Sequence, residues 1–157
     1  MRIAMFSDIH SNYHALEAVL ADSARRGVDR LICLGDITLK GPLPKACTDR
    51  VRDLGCPVTL GNTDGCYHPD FHPDKFPPQN QSQVATRADF DRHWAALTEA
   101  DRAWLQSFPL TVTEEWEGVR MDFFHATPRS NYVLNWPWSS TVELADLRLS
   151  DETQLSA

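Results

Sequence analysis

Four short clusters of oxygen and imidazole side chains, each directly after an apolar run, constrain this chain more than any other feature. Asp8-Ile9-His10 follows Ile3-Ala4-Met5-Phe6, and Gly35-Asp36, with Gly41 beyond it, follows Leu31-Ile32-Cys33-Leu34. Gly61-Asn62-Thr63-Asp64 follows Val58-Thr59-Leu60, and His125 closes the run Asp122-Phe123-Phe124. Residues at the carboxyl ends of buried strands converge on one crevice in open α/β sheets. Four hydrophobic strands that each end in a carboxylate, amide or imidazole therefore predict a shared metal cluster.

The first half of the chain reads as strand and helix in alternation. Asn12 or Ser11 caps a predicted helix with apolar positions Ala15, Leu16, Val19 and Leu20, which Gly27 ends. A strand over Arg30 to Leu34, a helix over about Pro44 to Leu54 closed by Gly55, and a strand over Pro57 to Leu60 follow. This alternation predicts an α/β class with parallel pairing and right-handed crossovers.

Beyond Gly65 the texture changes. The near-repeat His68-Pro69-Asp70-Phe71-His72-Pro73-Asp74, followed by Pro77-Pro78, predicts a long surface loop. Helical periodicity returns from Val84 to Leu97, with Phe90, Trp94 and Leu97 on one face and His93 on the polar side. Thr98 opens a short helix carrying Trp104 and Leu105. Thr111 to Trp116 and Val119 to Phe124 alternate as a hairpin turning at Glu117-Gly118. Asn135-Trp136-Pro137-Trp138 reads as a loop, Val142 to Leu149 as helix or strand, and Ser150 to Ala157 as a frayed tail. The expected organisation is a single domain over 1–157 with a loop and helical insertion at about 66–108.

With 157 residues, 42% hydrophobic and 24% charged, the composition is that of a soluble globular domain. The net charge of −7 disfavours nucleic acid as a partner, which needs a basic footprint. A small phosphorylated substrate is compatible, because bound cations reverse the local field. No apolar run has the length of a membrane span, and Met1-Arg2-Ile3 leads straight into a strand, so the expected location is the cytoplasm. Cys33, Cys47, Cys56 and Cys66 form no Cys-x-x-Cys pair and read as reduced thiols.

In their order and spacing, Asp8-x-His10, Gly35-Asp36 with Gly41, Gly61-Asn62-x-Asp64 and the later His125 resemble the calcineurin-like metallophosphoesterases. The resemblance runs from Met1 to about Arg129. It is strongest to the bacterial branch that opens Ser7-Asp8-Ile9-His10-Ser11-Asn12 and continues with a helix like Ala15 to Leu20. It implies a two-sheet β-sandwich flanked by helices. The family's final G-H-x-H has no counterpart after His125, which implies a truncated C-terminal part.

The same resemblance implies Asp8, His10 and Asp36 on one metal, and Asp36, Asn62 and His125 on a second, with Asp36 bridging. A mixed oxygen and nitrogen set suits manganese, iron or zinc better than calcium. Two such cations, about 3.5–4 Å apart, would generate a hydroxide nucleophile for in-line displacement on a phosphomonoester or phosphodiester. Asp36, Asn62 and Asp64 are the expected catalytic residues, Asp64 as an orienting group.

Thr63 stands where many family members carry a histidine. That exchange removes general-acid help of typically about 10²–10⁴-fold and points to a subfamily. With Thr63, Lys40 and Arg129 are the expected substrate-side residues, arginine being suited to a bidentate grip. His14 and His93 are expected on the surface, and His68 and His72 in a solvated loop. Trp136 and Trp138 would wall a pocket or a subunit contact. An incomplete sheet would leave an edge that a homodimer could cover. The alternative to an enzyme is a metal-binding scaffold that keeps the fold without turnover.

Overall fold

The structure, a computed structural model, describes residues 1–68, 75 and 77–132. The 133–157 segment, including Trp136, Trp138 and the expected element at Val142 to Leu149, lies outside the described residues, as does the Pro69 to Asp74 repeat with His72.

Strand β1 (Ile3–Phe6) pairs in parallel with β2 (Arg30–Cys33), in the register Ile3↔Arg30 to Phe6↔Cys33. Helix α1 (Tyr13–Arg25) forms the crossover. Asn12 caps it, its side-chain oxygen accepting the Ala15 N–H at 3.1 Å. The stripe α1 buries is Leu16, Leu20 and Ser23, an i, i+4, i+7 row. Val19, expected on the apolar face, falls off that row and is 44% exposed.

Helix α2 (Pro44–Leu54) starts on a proline whose fixed φ suits the first helical turn. It ends at Gly55 in the left-handed conformation. The expected strand at Pro57 to Leu60 is reduced to a parallel bridge of Val58 to Cys33, held by Cys33 N–H to Pro57 O and Thr59 N–H to Cys33 O, both 3.0 Å.

A four-residue helix, α3 (Asn62–Gly65), follows. Helix α4 (Gln81–Ala96) is capped by Asn80, and α5 (Glu99–Gln106) carries a complete capping box between Thr98 and Asp101. Strands β3 (Thr111–Trp116) and β4 (Val119–Phe124) form an antiparallel hairpin in the expected register. Glu117 and Gly118 at its tip both have positive φ, +54° and +77°, as a two-residue type I′ turn requires.

The core gathers Phe6, Leu16 and Ile37 near the strands with Val51, Phe90 and Leu105 from the helices and Tyr67 from the turn after α3. Tyr67, Phe90 and Trp94 pack ring on ring, with centroids 5.6–6.0 Å apart. His93 corrects the sequence expectation. It is fully buried, with Nδ1 2.8 Å from Asp89 O and Nε2 2.8 Å from Gly41 O. Position 93 is one turn on from Phe90, so it shares the face that α4 turns inward, where backbone carbonyls flank both ring nitrogens and the ring N–H has an acceptor on either side. Cys33 and Cys47 are buried free thiols, and burial raises both. Among the described residues no helix is long and apolar enough to cross a membrane.

Candidate metal centre

The loops after β1 and β2 are stitched together by backbone bonds. Asp8 N–H donates to Gly35 O (3.2 Å), His10 N–H to Asp36 O (3.0 Å) and Ser11 N–H to Ile37 O (2.9 Å). To reach this arrangement Asp8, His10, Ser11 and Asp36 all adopt positive φ, between +44° and +58°. Each such non-glycine residue costs on the order of 1 kcal/mol, and strain of this kind gathers where side chains are aimed at a site.

Glycines allow the third loop to come close. A Cβ on Gly61 would lie 2.1 Å from Asp36 N and 2.3 Å from Asp36 Oδ1. A Cβ on Gly35 would meet Gly61 N at 2.4 Å. These positions exclude any side chain, which explains the glycines before Asp36 and Asn62 in physical terms.

The result is a cluster. Ligand atoms of Asp8, His10 and Asp36 lie within 4.8 Å of one another. His10 Nε2 is 3.5 Å from Asp8 Oδ1 and 3.6 Å from Asp36 Oδ2. On the other side of the same carboxylate, His125 Nε2 is 3.7 Å from Asp36 Oδ1 and 3.1 Å from Asn62 Oδ1. Asp36 therefore stands between two pairs of predicted ligand residues, Asp8 with His10 and Asn62 with His125, its two oxygens directed at different imidazoles. Asp36 is 2% exposed, whereas Asp8 faces solvent.

The hydrogen bonds decide which atoms are offered. His125 Nδ1 lies 2.7 Å from Leu34 O and His10 Nδ1 3.2 Å from Thr38 O. A carbonyl only accepts, so each Nδ1 carries the proton and each Nε2 presents a lone pair. Those lone pairs face carboxylate and amide oxygens, an arrangement of acceptors that a cation satisfies. Lys40 Nζ, 2.9 Å from His10 Nε2, already places one positive charge there. Imidazoles oriented through backbone carbonyls are also the usual support for metal-binding histidines. The donor set fits divalent transition metals.

Asp64 works behind the cluster. It is fully buried, and its two oxygens accept the N–H groups of Asp36 (2.8 Å) and Ile37 (3.0 Å). Burial first, then the charge of Asp36, pushes its carboxyl up to about 7, while the backbone donors pull the other way. Thr63 N–H donates to Asp36 Oδ1 (2.9 Å), and its hydroxyl donates to Thr38 O (3.2 Å). The Thr63 side chain is thus 6% exposed and spent on the loop.

Arg129 is exposed in the Thr127–Ser130 turn that follows His125. His14 and His68 are exposed, as expected. Sequence reading missed the supports. Leu34 and Thr38 act through carbonyls, which no side-chain motif reveals. Asn131 Nδ2 donates to Gly61 O (3.0 Å) and Tyr132 Oη to Asn62 O (3.2 Å), fixing the Asn62 loop from a segment without a motif.

Carboxylates and imidazoles gathered beyond the ends of β1, β2 and β4 define a candidate metal-binding protein. The chain belongs to the calcineurin-like phosphoesterase family, whose pattern it matches over residues 1–151. An uncharacterized protein of Methanocaldococcus jannaschii is 34% identical over 129 residues, covering 81% of this chain and 50% of that protein. A metallophosphoesterase from Sphaerobacter thermophilus superposes with TM-score 0.57 at 36% identity, covering 73% of this chain and 44% of that one. A hypothetical protein from Pyrococcus horikoshii OT3 gives TM-score 0.75 at 18% identity, over 92% of this chain and 63% of that one, a likeness of fold alone. The fold is that of the calcineurin-like metallophosphoesterases, with mixed strands and helices. The chain spans about half the length of the first two relatives.

Proposed function

We propose that this chain carries the metal centre of a phosphoesterase that hydrolyses a phosphomonoester or phosphodiester with two divalent cations, manganese or iron and zinc being the best matched. The observation that carries the reading is the Asp36 carboxylate, which turns Oδ2 toward His10 and Oδ1 toward His125. A carboxylate divided in this way suits a bridging role. Asp8 and His10 would complete one site, Asn62 and His125 the other.

Bound there, divalent cations supply Lewis-acid neutralisation of phosphoryl oxygens and activation of water. The chain's own residues do the positioning. Asp64 fixes the peptide that carries Asp36, so the carboxylate is aimed before substrate arrives. Lys40, at the solvent side of His10, is placed to take a phosphoryl oxygen as a mobile point charge. Arg129 is the second candidate for that role. Thr63 gives no proton to a leaving group, so esters of acidic alcohols should turn over best.

The test pairs calorimetric titration of Mn²⁺ with hydrolysis of p-nitrophenyl phosphate and bis-p-nitrophenyl phosphate. Metal binding and metal-dependent turnover in the wild type, both lost in Asp36→Asn, are expected. Turnover that survives Asp36→Asn, or is independent of added metal, would refute the reading. Metal binding without turnover would favour the non-catalytic scaffold.

A further inference from the structure

Beside the metal centre lies a cavity of about 770 Å³ that none of the five ligand candidates lines. Two residues belong to both. Lys40 reaches His10 with its ammonium, and Thr63 bonds Asp36 with its N–H, yet both also line the cavity wall. A phosphate held at the centre would therefore direct its esterified group into this space. Cavities of this volume are in the range that holds whole organic ligands.

The lining is chemically divided. Leu39, Pro77 and Pro78 provide apolar walls, the prolines with flat faces, and Phe90, packed on Tyr67 and Trp94, adds only a small apolar surface. Gln83 and Thr86, on the outer turns of α4, provide a polar rim. The Gln83 side-chain oxygen accepts the Gln79 N–H (2.7 Å), which turns its amide nitrogen into the available donor. The Thr86 hydroxyl donates to Ser82 O (3.0 Å), which leaves its oxygen to accept. Flat apolar faces with one donor and one acceptor at the edge complement a planar heterocycle. Among the described lining residues the carboxylate, Asp89, is engaged by the Lys40 N–H and Arg92, and Arg87 pairs with Asp91 at 2.8 Å, while Lys40 brings its ammonium to the side of the cavity next to His10.

The wall is also fastened to the centre. Asp89 accepts the Lys40 N–H at 2.8 Å, and the buried His93 one turn later reaches Gly41 O. Gly41 in turn packs so closely on His10 that a Cβ would stand 2.2 Å from His10 O. Helix α4 thus holds a fixed distance from the imidazole.

We infer that this cavity seats the organic group of the substrate, and that the group is a planar heteroaromatic of nucleoside type esterified to the phosphate. The inference rests on the phosphoesterase reading for the phosphate end, but the preference for a base can be measured apart from turnover.

The experiment is calorimetric binding of thymidine 5′-monophosphate, ribose 5-phosphate and inorganic phosphate, with and without Mn²⁺. Wild type and the variants Thr86→Trp, which fills the cavity from an exposed helical position, and Gln83→Leu, which removes the rim donor, are compared. Thymidine 5′-monophosphate is expected to bind at least about tenfold more tightly than ribose 5-phosphate, a margin that Thr86→Trp erases and Gln83→Leu reduces. Equal affinities in the wild type, a preference untouched by both variants, or no binding of any of the three ligands would overturn the inference. A base preference that persists without metal in a chain showing no metal-dependent turnover would sink the phosphoesterase reading and leave the heteroaromatic pocket standing.

Discussion

The loops that carry the candidate metal centre and the helices α4 and α5 are built on opposite principles. The loops are held by backbone contacts too close for any side chain, by strained positive-φ residues and by a fully buried carboxylate. The helices are capped at their N-termini, and outer positions of α4, such as Val84 and Thr86, are exposed. In the first region geometry dictates the sequence almost atom by atom. In the second, the helix sets the spacing and many side chains satisfy it. The comparison teaches that close backbone packing fixes the residues of the candidate centre, whereas the outer face of a helix leaves its positions open to many side chains.

Gly61→Ala should break the centre most severely. The new methyl overlaps Asp36 N and Oδ1, so the loops must separate, at a cost of about 3 kcal/mol or more. Thermal unfolding and Mn²⁺ titration should both show the loss, and a variant with unchanged melting would contradict the close approach.

Asp64→Asn comes next. Its amide NH₂ would confront one of the two N–H donors of Asp36 and Ile37, leaving a buried donor unmatched at about 1–3 kcal/mol. Urea unfolding would measure this, and the same exchange at an exposed helical aspartate such as Asp91 should shift the midpoint little.

The α4 and α5 side has one tight polar junction of its own. Burial alone would raise the Asp101 carboxyl, but bonds from Thr98 and Arg52 and the nearby Lys45 bring it down to about 2. A folded value below the unfolded one gives stability that is present above about pH 4 and fades as pH falls toward 2. Urea midpoints between pH 6 and 2.5 should follow this loss, on the order of 1–2 kcal/mol, and Asp101→Asn should flatten that part of the profile.

The smallest effect is expected for Val84→Lys on the exposed face of α4, within about 0.5 kcal/mol in the same urea assay. A larger destabilisation would mean that this face is covered, and the contrast between the two regions would narrow.

How much of this was legible beforehand follows the same division. The strand-end clusters named Asp8, His10 and Asp36, whose ligand atoms gather, and Asn62 and His125 on the other side of Asp36, because each motif couples an apolar run to a polar atom at a fixed offset. The caps at Asn12 and Thr98 and the turn at Glu117-Gly118 were equally local, and they appear as expected. His93 was misjudged because helical periodicity sees polarity and not the two carbonyls that make a buried imidazole acceptable. The strand at Val58 was overestimated because a β-propensity run does not state how much of a neighbouring strand remains to pair with it.

The sequence by itself determined the candidate metal-binding clusters at the strand ends, the parallel crossover of β1 and β2, and the glycines that let the loops approach. These depend on neighbours a few residues apart. Tertiary structure alone decided that Asp36 divides its oxygens between His10 and His125, that Asp64 braces the Asp36 peptide across 28 positions, and that α4 walls a cavity sharing Lys40 and Thr63 with the centre. Those relations join residues far apart in the chain, and only the packed backbone brings them within bonding distance.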